Sequence, residues 1–417
     1  MKKSLPRLIL LAVLASMIFI CIFTQMNIPK YKLKDITGDK KELDDIVILT
    51  QEEQGLYNTR QTIFSKDNIK TKSFSKELPV MDEYSKLKVK NRDIFEASDV
   101  GNLTYKDDEN IGFIEYKYPR YDDSVKESYA IKVNNKNLKT NKKTDFKVQL
   151  PSSIKYDWCG PGPSVVYIYN NEIYMAYSGS INVKHDEEGK FKGLDKGFIE
   201  IYKVNLDTHK ISEVNKIDIN NSEEKFNIVD DNIKFVNEDK MYFMVNSINK
   251  NSQDDKVESN LMYYDVKSNK FEYIKVPLHI KQSESDYMNI SSPKCSVNEN
   301  KLNIIVQEDS YYAKDTDIHL YSVDLKNEKI INEDKVYSID KVRHISEVNN
   351  FKVINNKLYV TMNSHDKQDS DNVRLDLDNK YNIFVLDEKT KKLLYNGELY
   401  NGKRIYQGEY ILKQNEL

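Results

Sequence analysis

Cysteine, glycine and proline are all scarce in this chain. Three Cys in 417 residues cannot build a disulfide-dense scaffold. Thirteen Gly and nine Pro exclude a collagen-like or Pro/Gly-rich low-complexity chain. Charge of one sign is lacking too. Sixty-three Lys and Arg stand against 66 Asp and Glu, for a formal charge of −3, so the basic footprint of a nucleic-acid binder is missing. The motifs H-E-x-x-H, G-x-S-x-G, G-x-x-x-x-G-K-[ST] and C-x-x-C are absent. Aromatic residues are plentiful instead. Twenty-nine Tyr and 15 Phe are too many for a disordered chain, and the length admits a large repeat domain or two domains.

The chain holds one long apolar run, LILLAVLASMIFICIF at residues 8–23, preceded by Lys2, Lys3 and Arg7. With its flanks it reads as a transmembrane helix over residues 8–26, near the lower limit of about 17 to 20 residues for a bilayer span. Thr24, Gln25, Met26 and Asn27 fit a signal-peptidase site poorly, and Ile20 before Cys21 fits a lipoprotein site poorly. An uncleaved anchor is therefore the better reading. The basic tail, residues 1–7, sets the N-terminus inside, although Lys30, Lys32 and Lys34 blunt that bias. Residues 27–43 then form a juxtamembrane linker, and residues 44–417 a repeat domain on the extracytoplasmic side of the cell membrane.

The repeat is visible in two alternating patterns. NNEIYMAYS, NEDKMYFMV, NENKLNIIV and INNKLYVTM begin at Asn170, Asn237, Asn298 and Ile354. YKVNLDTHKI, YYDVKSNKF, YSVDLKNEKI and FVLDEKTKKL follow from Tyr202, Tyr263, Tyr321 and Phe384. On alignment, Asn205, Asp265, Asp324 and Asp387 share one position, and Lys210, Lys270, Lys329 and Lys392 share another. β-Branched and aromatic residues alternate with polar ones, as in half-buried strands, and Asn and Asp mark the turns. Each unit reads as strand, tight turn, strand, long loop, strand, tight turn, strand.

Two weaker units lie upstream. One has strands near 111–117 and 129–133 with a turn at Asn134, Asn135 and Lys136. The other has strands near 46–50 and 61–65, a turn at Lys66, Asp67 and Asn68, and no first strand of its own. The terminal segment RIYQGEYIL at 404–412 is a spare strand able to fill that vacancy. Pro79, Pro151, Pro161, Pro163, Pro277 and Pro293 are expected between units, where no ladder donor is needed. The expected fold is all-β, a β-propeller of about six four-stranded blades after an N-terminal transmembrane helix. A β-solenoid or two β-sandwiches are the alternatives.

The anchor together with the N-K-L-Y and Y-x-x-D-x-K-x-x-K patterns resembles membrane-anchored, propeller-like repeat proteins of bacteria. The function of most such proteins is unassigned. The chain departs from better-marked propellers: a single Trp removes the Trp-Asp signature of WD40 blades, and there are no Gly-Gly pairs.

Long polar loops between second and third strands are expected on one face, where function concentrates. Asp254, Asp255, Asp315 and Asp317 lie in them, with Asp366, Asp369, Asp371, Asp376 and Asp378 in the last. Clustered carboxylates suit calcium, and Asp369, Asp371, Asp376 and Asp378 are the candidate ligands. Lys367 and Arg374 among them, and the lack of a D-x-[DN]-x-[DN]-G run, favour a solvated acidic loop. No other cofactor is called for. Segment 158–163, WCGPGP, is stiff and holds the single Trp. Tyr156 and Trp158 there suit stacking on a sugar or peptide, or plugging a central channel. Cys159 has Cys295 as a partner if the compartment oxidises thiols. His185, His279 and His365 are the His residues expected in loops on that face.

These features favour a non-catalytic binding or accessory module. Its partner is a membrane protein complex or cell-envelope component, with no role for nucleic acid. The alternative is a hydrolase or lyase acting on a glycan or lactone through a composite, calcium-assisted site. A structural spacer is the third reading.

Overall fold

A computed structural model describes residues 32–54, 58–75, 90–95, 103–116, 130–150, 163–181, 184–185, 191–193, 196–219, 225–249, 256–281, 293–308, 315–340, 344–366, 380–400 and 409–414. The chain divides into two compact units. Unit 1 comprises residues 1–82 and 343–417, and unit 2 residues 83–342.

In chain order, β1 (Lys32–Gly38) leads through a 3-10 turn at Lys40–Leu43 to β2 (Ile46–Gln54), β3 (Asn58–Ser65) and β4 (Asn68–Ser75). Helix α1 (Arg92–Phe95) precedes β5 (Leu103–Lys106), β6 (Asn110–Tyr116), β7 (Ala130–Asn137) and β8 (Lys143–Gln149). Then come β9 (Val165–Tyr169), β10 (Glu172–Ile181), the short pair β11 (Lys184–His185) and β12 (Phe191–Gly193), β13 (Lys196–Asn205) and β14 (Ile211–Ile219). The next four are β15 (Lys225–Asn237), β16 (Lys240–Asn249), β17 (Lys256–Asp265) and β18 (Lys270–Lys281). They are followed by β19 (Lys294–Asn298), β20 (Lys301–Glu308), β21 (Asp315–Asp324) and β22 (Lys329–Asp340). The last are β23 (His344–Ile354), β24 (Lys357–Asp366), β25 (Lys380–Asp387), β26 (Leu393–Tyr400) and β27 (Glu409–Lys413).

The described residues are thus all-β, in six four- or five-stranded antiparallel meanders of propeller-blade type. Unit 2 holds β5–β8, β9-β10-β13-β14, β15–β18 and β19–β22. Unit 1 holds β27-β2-β3-β4 and β23–β26, the latter extended at its edge by β1. The terminal strand fills the expected vacancy, Ile46 pairing Lys413 and Thr50 pairing Glu409. Among the described residues no helix is long and apolar enough to cross a membrane; residues 8–26 lie outside them.

One residue position explains the regularity of the outer turns. The Asn205 side chain accepts from the backbone N–H groups of Asp207 (3.1 Å) and Thr208 (2.8 Å), and His209 then turns left-handed at φ 57°. Asp265, Asp324 and Asp387 do the same ahead of Asn269, Glu328 and Lys391. The short side-chain oxygen substitutes for a missing ladder partner, so Asn or Asp is required there. Asn137 is a fifth case, ahead of Asn141. This corrects the turn expected at Asn134–Lys136, which instead continues β7 against β6. Asn135 reads as a turn residue only while its partners are unknown. It is buried, its amide donates to Asn110 Oδ1 (3.1 Å), and its Oδ1 accepts from the Tyr105 hydroxyl (3.2 Å).

Pro277 also moves. It lies within β18, outermost in its sheet, where the pairing jumps from Ser259–Leu278 to Leu261–Ile274. A bulge on an outer strand releases the ladder donor that Pro lacks.

Apolar residues on both faces of the inner strands stack neighbouring sheets. In unit 2, Ile131, Val133, Ile173 and Met175 join the first two sheets. Ile199, Ile201, Phe243 and Met262 join the second and third, and Met244, Leu261, Ile304 and Val323 the third and fourth. In unit 1, Ile46, Ile48, Tyr359 and Ile383 do likewise. Such cores carry most of the stability, since each fully buried large side chain contributes about 1.5–3 kcal/mol.

Polar clasps reinforce these contacts at the tight-turn ends. In unit 2, Asp239 accepts from the Tyr167 hydroxyl of the preceding sheet (2.8 Å) and pairs with Lys267. In unit 1, Asp45 accepts from Asn355, Lys357 and the Tyr359 hydroxyl, each at 3.1 Å. Burial by itself would raise the Asp239 carboxyl; hydrogen bonds from Lys267 and Tyr167 outweigh it and hold the group below the usual carboxylate range. A lowered folded-state value gives stability above the unfolded value near 4, and that stability is lost as pH falls through the folded one. Asp239→Asn is therefore expected to cost about 1 kcal/mol at neutral pH and progressively less as pH is lowered below about 4. Urea titrations over a series of pH values from neutral downward measure this, and a cost that does not fall with pH would contradict the clasp.

Candidate functional site

The two ends of each sheet differ. In unit 2 one end carries only tight turns: Asn170–Asn171, Glu238–Asp239 and Glu299–Asn300, alternating with the Asx-capped loops. The connections through residues 117–129, 151–162, 220–224, 250–255, 282–292 and 309–314 all leave from the other end. In unit 1 the connections through 55–57, 367–379 and 401–408 likewise leave opposite the turns at Lys66–Asp67 and Asn355–Asn356. The meander enforces this, because a hairpin closed by two residues at one end leaves every longer excursion to the other.

The most unusual described feature lies on β15, the first strand of its sheet. Opposite β16 the pairing jumps from Val229–Val245 to Lys234–Phe243, so residues 230–233 form a wide bulge. Bulges re-aim side chains and are common beside functional sites. Asp230 is 6% exposed. Its Oδ1 accepts from the Ile233 N–H (3.2 Å) and its Oδ2 from the Asn246 amide (3.0 Å). Asn246 Oδ1 in turn accepts from the Ser259 hydroxyl (2.7 Å), and both residues are fully buried. Cys295 on β19 faces the same carboxylate. Burial, then the Asp230 charge, push its thiol up to about 11.

The chemistry of this row is limited by its middle member. The Asn246 amide cannot take up a proton, so Ser259 and Asp230 do not form a nucleophile and its base. A thiol held at about 11 stays neutral at physiological pH and is a poor nucleophile. The row fixes polar groups in place rather than moving protons. Sequence reading missed it, yet one signal was present: FNIVDDNIKFV interrupts an apolar strand with Asp230, Asp231 and Asn232.

Of the sequence-predicted residues, Asp315 and Asp317 lie in β21 rather than in a loop. Asp317 pairs with Lys335 (2.8 Å) and accepts from the Ser338 hydroxyl. Burial would raise its carboxyl, but those partners hold it below the usual range. His185, His279 and His365 likewise fall in β11, β18 and β24, not loops. Around Asp315, Asp317, His279 and His365 backbone pairing continues past the apolar stretch, because ladder hydrogen bonds are indifferent to side-chain polarity, whereas His185 lies in the separate hairpin β11-β12. Tyr156, Trp158, Asp254, Asp255, Asp369, Asp371, Asp376 and Asp378 lie outside the described residues, as does Cys159 and so its pairing with Cys295. Among the described residues no three His, Cys, Asp or Glu converge as metal ligands.

No family model matches the chain, and no curated protein sequence matches it. Solved structures with some likeness include polysaccharide lyase Uly1, at 9% identity and a TM-score of 0.40, covering 88% of this chain and 82% of that one. Zg3597, a family 117 glycoside hydrolase from the marine bacterium Zobellia galactanivorans, has 12% identity and a TM-score of 0.30 over 56% of this chain and 68% of that one. An acylaminoacyl peptidase has 11% identity and a TM-score of 0.32 over 84% of this chain, which spans about half of its length (51%). TM-scores this low assign neither fold nor activity.

Proposed function

We propose that the protein is a membrane-anchored, extracytoplasmic β-propeller that binds a protein or cell-envelope ligand through the ends of its sheets opposite the tight turns. The observation that carries this is the segregation of connections: within each unit one end is clasped turns, and the longer excursions leave from the other, apart from residues 39–45 between β1 and β2. Rigid sheets presenting variable connections at one end are the usual basis of recognition. Within unit 1, β27 on β2 brings the last described strand of the chain onto one of the first.

Cross-linking the full chain in its native membrane is expected to recover one defined partner. Replacing 367–379 with a short Gly-Ser loop is expected to lose it, while the same insertion at Asn355–Asn356 leaves recovery intact. Equal loss from both sites would remove the reading.

The second reading is a hydrolase or lyase acting on a glycan or lactone through a composite site at the long-connection ends of the sheets. In that reading calcium bound by Asp369, Asp371, Asp376 and Asp378 assists. It predicts release of reducing or unsaturated ends from acidic polysaccharides, and a melting shift with calcium that Asp369→Ala with Asp371→Ala abolishes. Neither effect is expected if the protein only binds.

A further inference from the structure

Strand β1 stands outside the repeat. It is a fifth strand on the edge of β23–β26, and its sequence KLKDITG leaves every side chain but that of Leu33 exposed. Burial contributes little to such a strand, so its placement rests on its ladder and on specific fixings. Lys32 pairs Tyr400, Lys34 pairs Glu398, and after an irregularity Gly38 pairs Tyr395. The Tyr395 hydroxyl donates to Asp35 Oδ1 (2.7 Å). Gly38 is left-handed at φ 85°, and a Cβ there would lie 1.9 Å from the Leu394 carbonyl oxygen. A Cβ on Gly397, opposite Asp35, would lie 2.3 Å from the Tyr395 hydroxyl.

Direction follows from register. β26 starts at the Asx-capped turn after Asp387 and ends at Tyr400, at the long-connection end. β1 is antiparallel, so Lys32 lies at the long-connection end of unit 1 and Gly38 at the tight-turn end. Only residues 27–31 separate β1 from the span 8–26 read as the transmembrane helix, and five residues reach at most about 18 Å.

We propose that β1 is a tether that turns the long-connection end of unit 1 toward the bilayer and its tight turns away. This rests on reading residues 8–26 as an anchor, and it specifies the partner: a membrane-resident protein standing beside the anchor, rather than a ligand arriving from outside. The tight turns lie farther out by the length of β26, about 25 Å.

The test uses the full chain in phosphatidylcholine vesicles, with Cys21, Cys159 and Cys295 replaced by Ala. Donor dye is placed on Asp366→Cys, at the end of β24, or on Lys389→Cys, in the outer turn, and acceptor lipid is in the bilayer. Energy transfer from position 366 is expected to be at least about twofold that from 389, given the separation along the strands. In a background of Asp35→Ala with Gly38→Val, which unseats β1, the two values are expected to converge. Flotation is scored in parallel. Protein that does not float with vesicles overturns the anchor itself. Protein that floats with equal or reversed transfer overturns the tether alone.

Discussion

Gly112→Val is expected to destabilise the protein by about 3 kcal/mol or more, at the upper end of the cost of overpacking. A Cβ at Gly112 would lie 2.2 Å from the Asn134 carbonyl oxygen, 2.4 Å from the Tyr105 hydroxyl and 2.5 Å from the ring carbon bearing it. Neither neighbour has room to yield. Asn134 is a paired residue of β7, so its carbonyl moves only with the strand. Tyr105 is 3% exposed, and its hydroxyl donates toward Asn134 O and Asn135 Oδ1, both at 3.2 Å. The ring lies where a side chain on residue 112 would go, one aromatic covering a bare stretch of backbone. Urea unfolding of Gly112→Val, alone and combined with Tyr105→Ala, separates the two clashes. Removing the ring is expected to relieve part of the new penalty and leave the carbonyl contact, giving a non-additive cycle. A cost under about 1 kcal/mol for Gly112→Val would show that Tyr105 is not seated there.

The second large effect is expected at Asp230. Asp230→Ala strands the Ile233 N–H and the Asn246 amide in a buried row, and each orphaned group costs about 1–3 kcal/mol, so a total of about 3 kcal/mol follows. Asp230→Asn should cost far less, about 1 kcal/mol. The new amide keeps one acceptor for Ile233 and offers a donor to Asn246, which can turn its amide over. The Ser259 hydroxyl then rotates to accept instead of donate. Thermal and urea unfolding of both variants measure the difference. Equal losses would mean that the negative charge itself, not the hydrogen-bond row, holds the bulge. Unchanged stability in Asp230→Ala would mean that the carboxylate is not structural at all, strengthening the case for a ligand-facing role.

Much of this architecture was legible because the repeat encodes its turns chemically. Asn205, Asp265, Asp324 and Asp387 align in sequence and perform one task in space, capping two N–H groups ahead of a left-handed residue. The vacancy beside β2 and the strand that fills it were also readable, since an unmatched strand must pair somewhere. Local signals failed where the determining contact is distant. Asn135 looks like a turn until Asn110 and Tyr105 are known to satisfy it. β1 lies within the stretch read as a linker, because a mostly exposed strand has no apolar alternation to show. Only the polar break at residues 230–232 hinted at the Asp230 row: Asn246 and Ser259 are ordinary residues in sequence and join it only once β16 and β17 are paired.

The pairing of β27 with β2 sets an order for building the molecule. Every strand of unit 2 finds its partners within residues 103–340, so its sheets can complete while the rest of the chain is still being made. Unit 1 cannot. Its β2-β3-β4 hairpins emerge early, but β2 keeps an unpaired edge until residues 409–413 arrive, more than 350 positions later. Contacts that distant form slowly, and an open edge held for that long invites pairing with other chains. A ribosome that stops short of residue 409 would release a product with its middle finished and its ends unjoined. Residues 409–413 thus act as the cover of an early strand, and a chain lacking them keeps the β2 ladder open to a foreign strand.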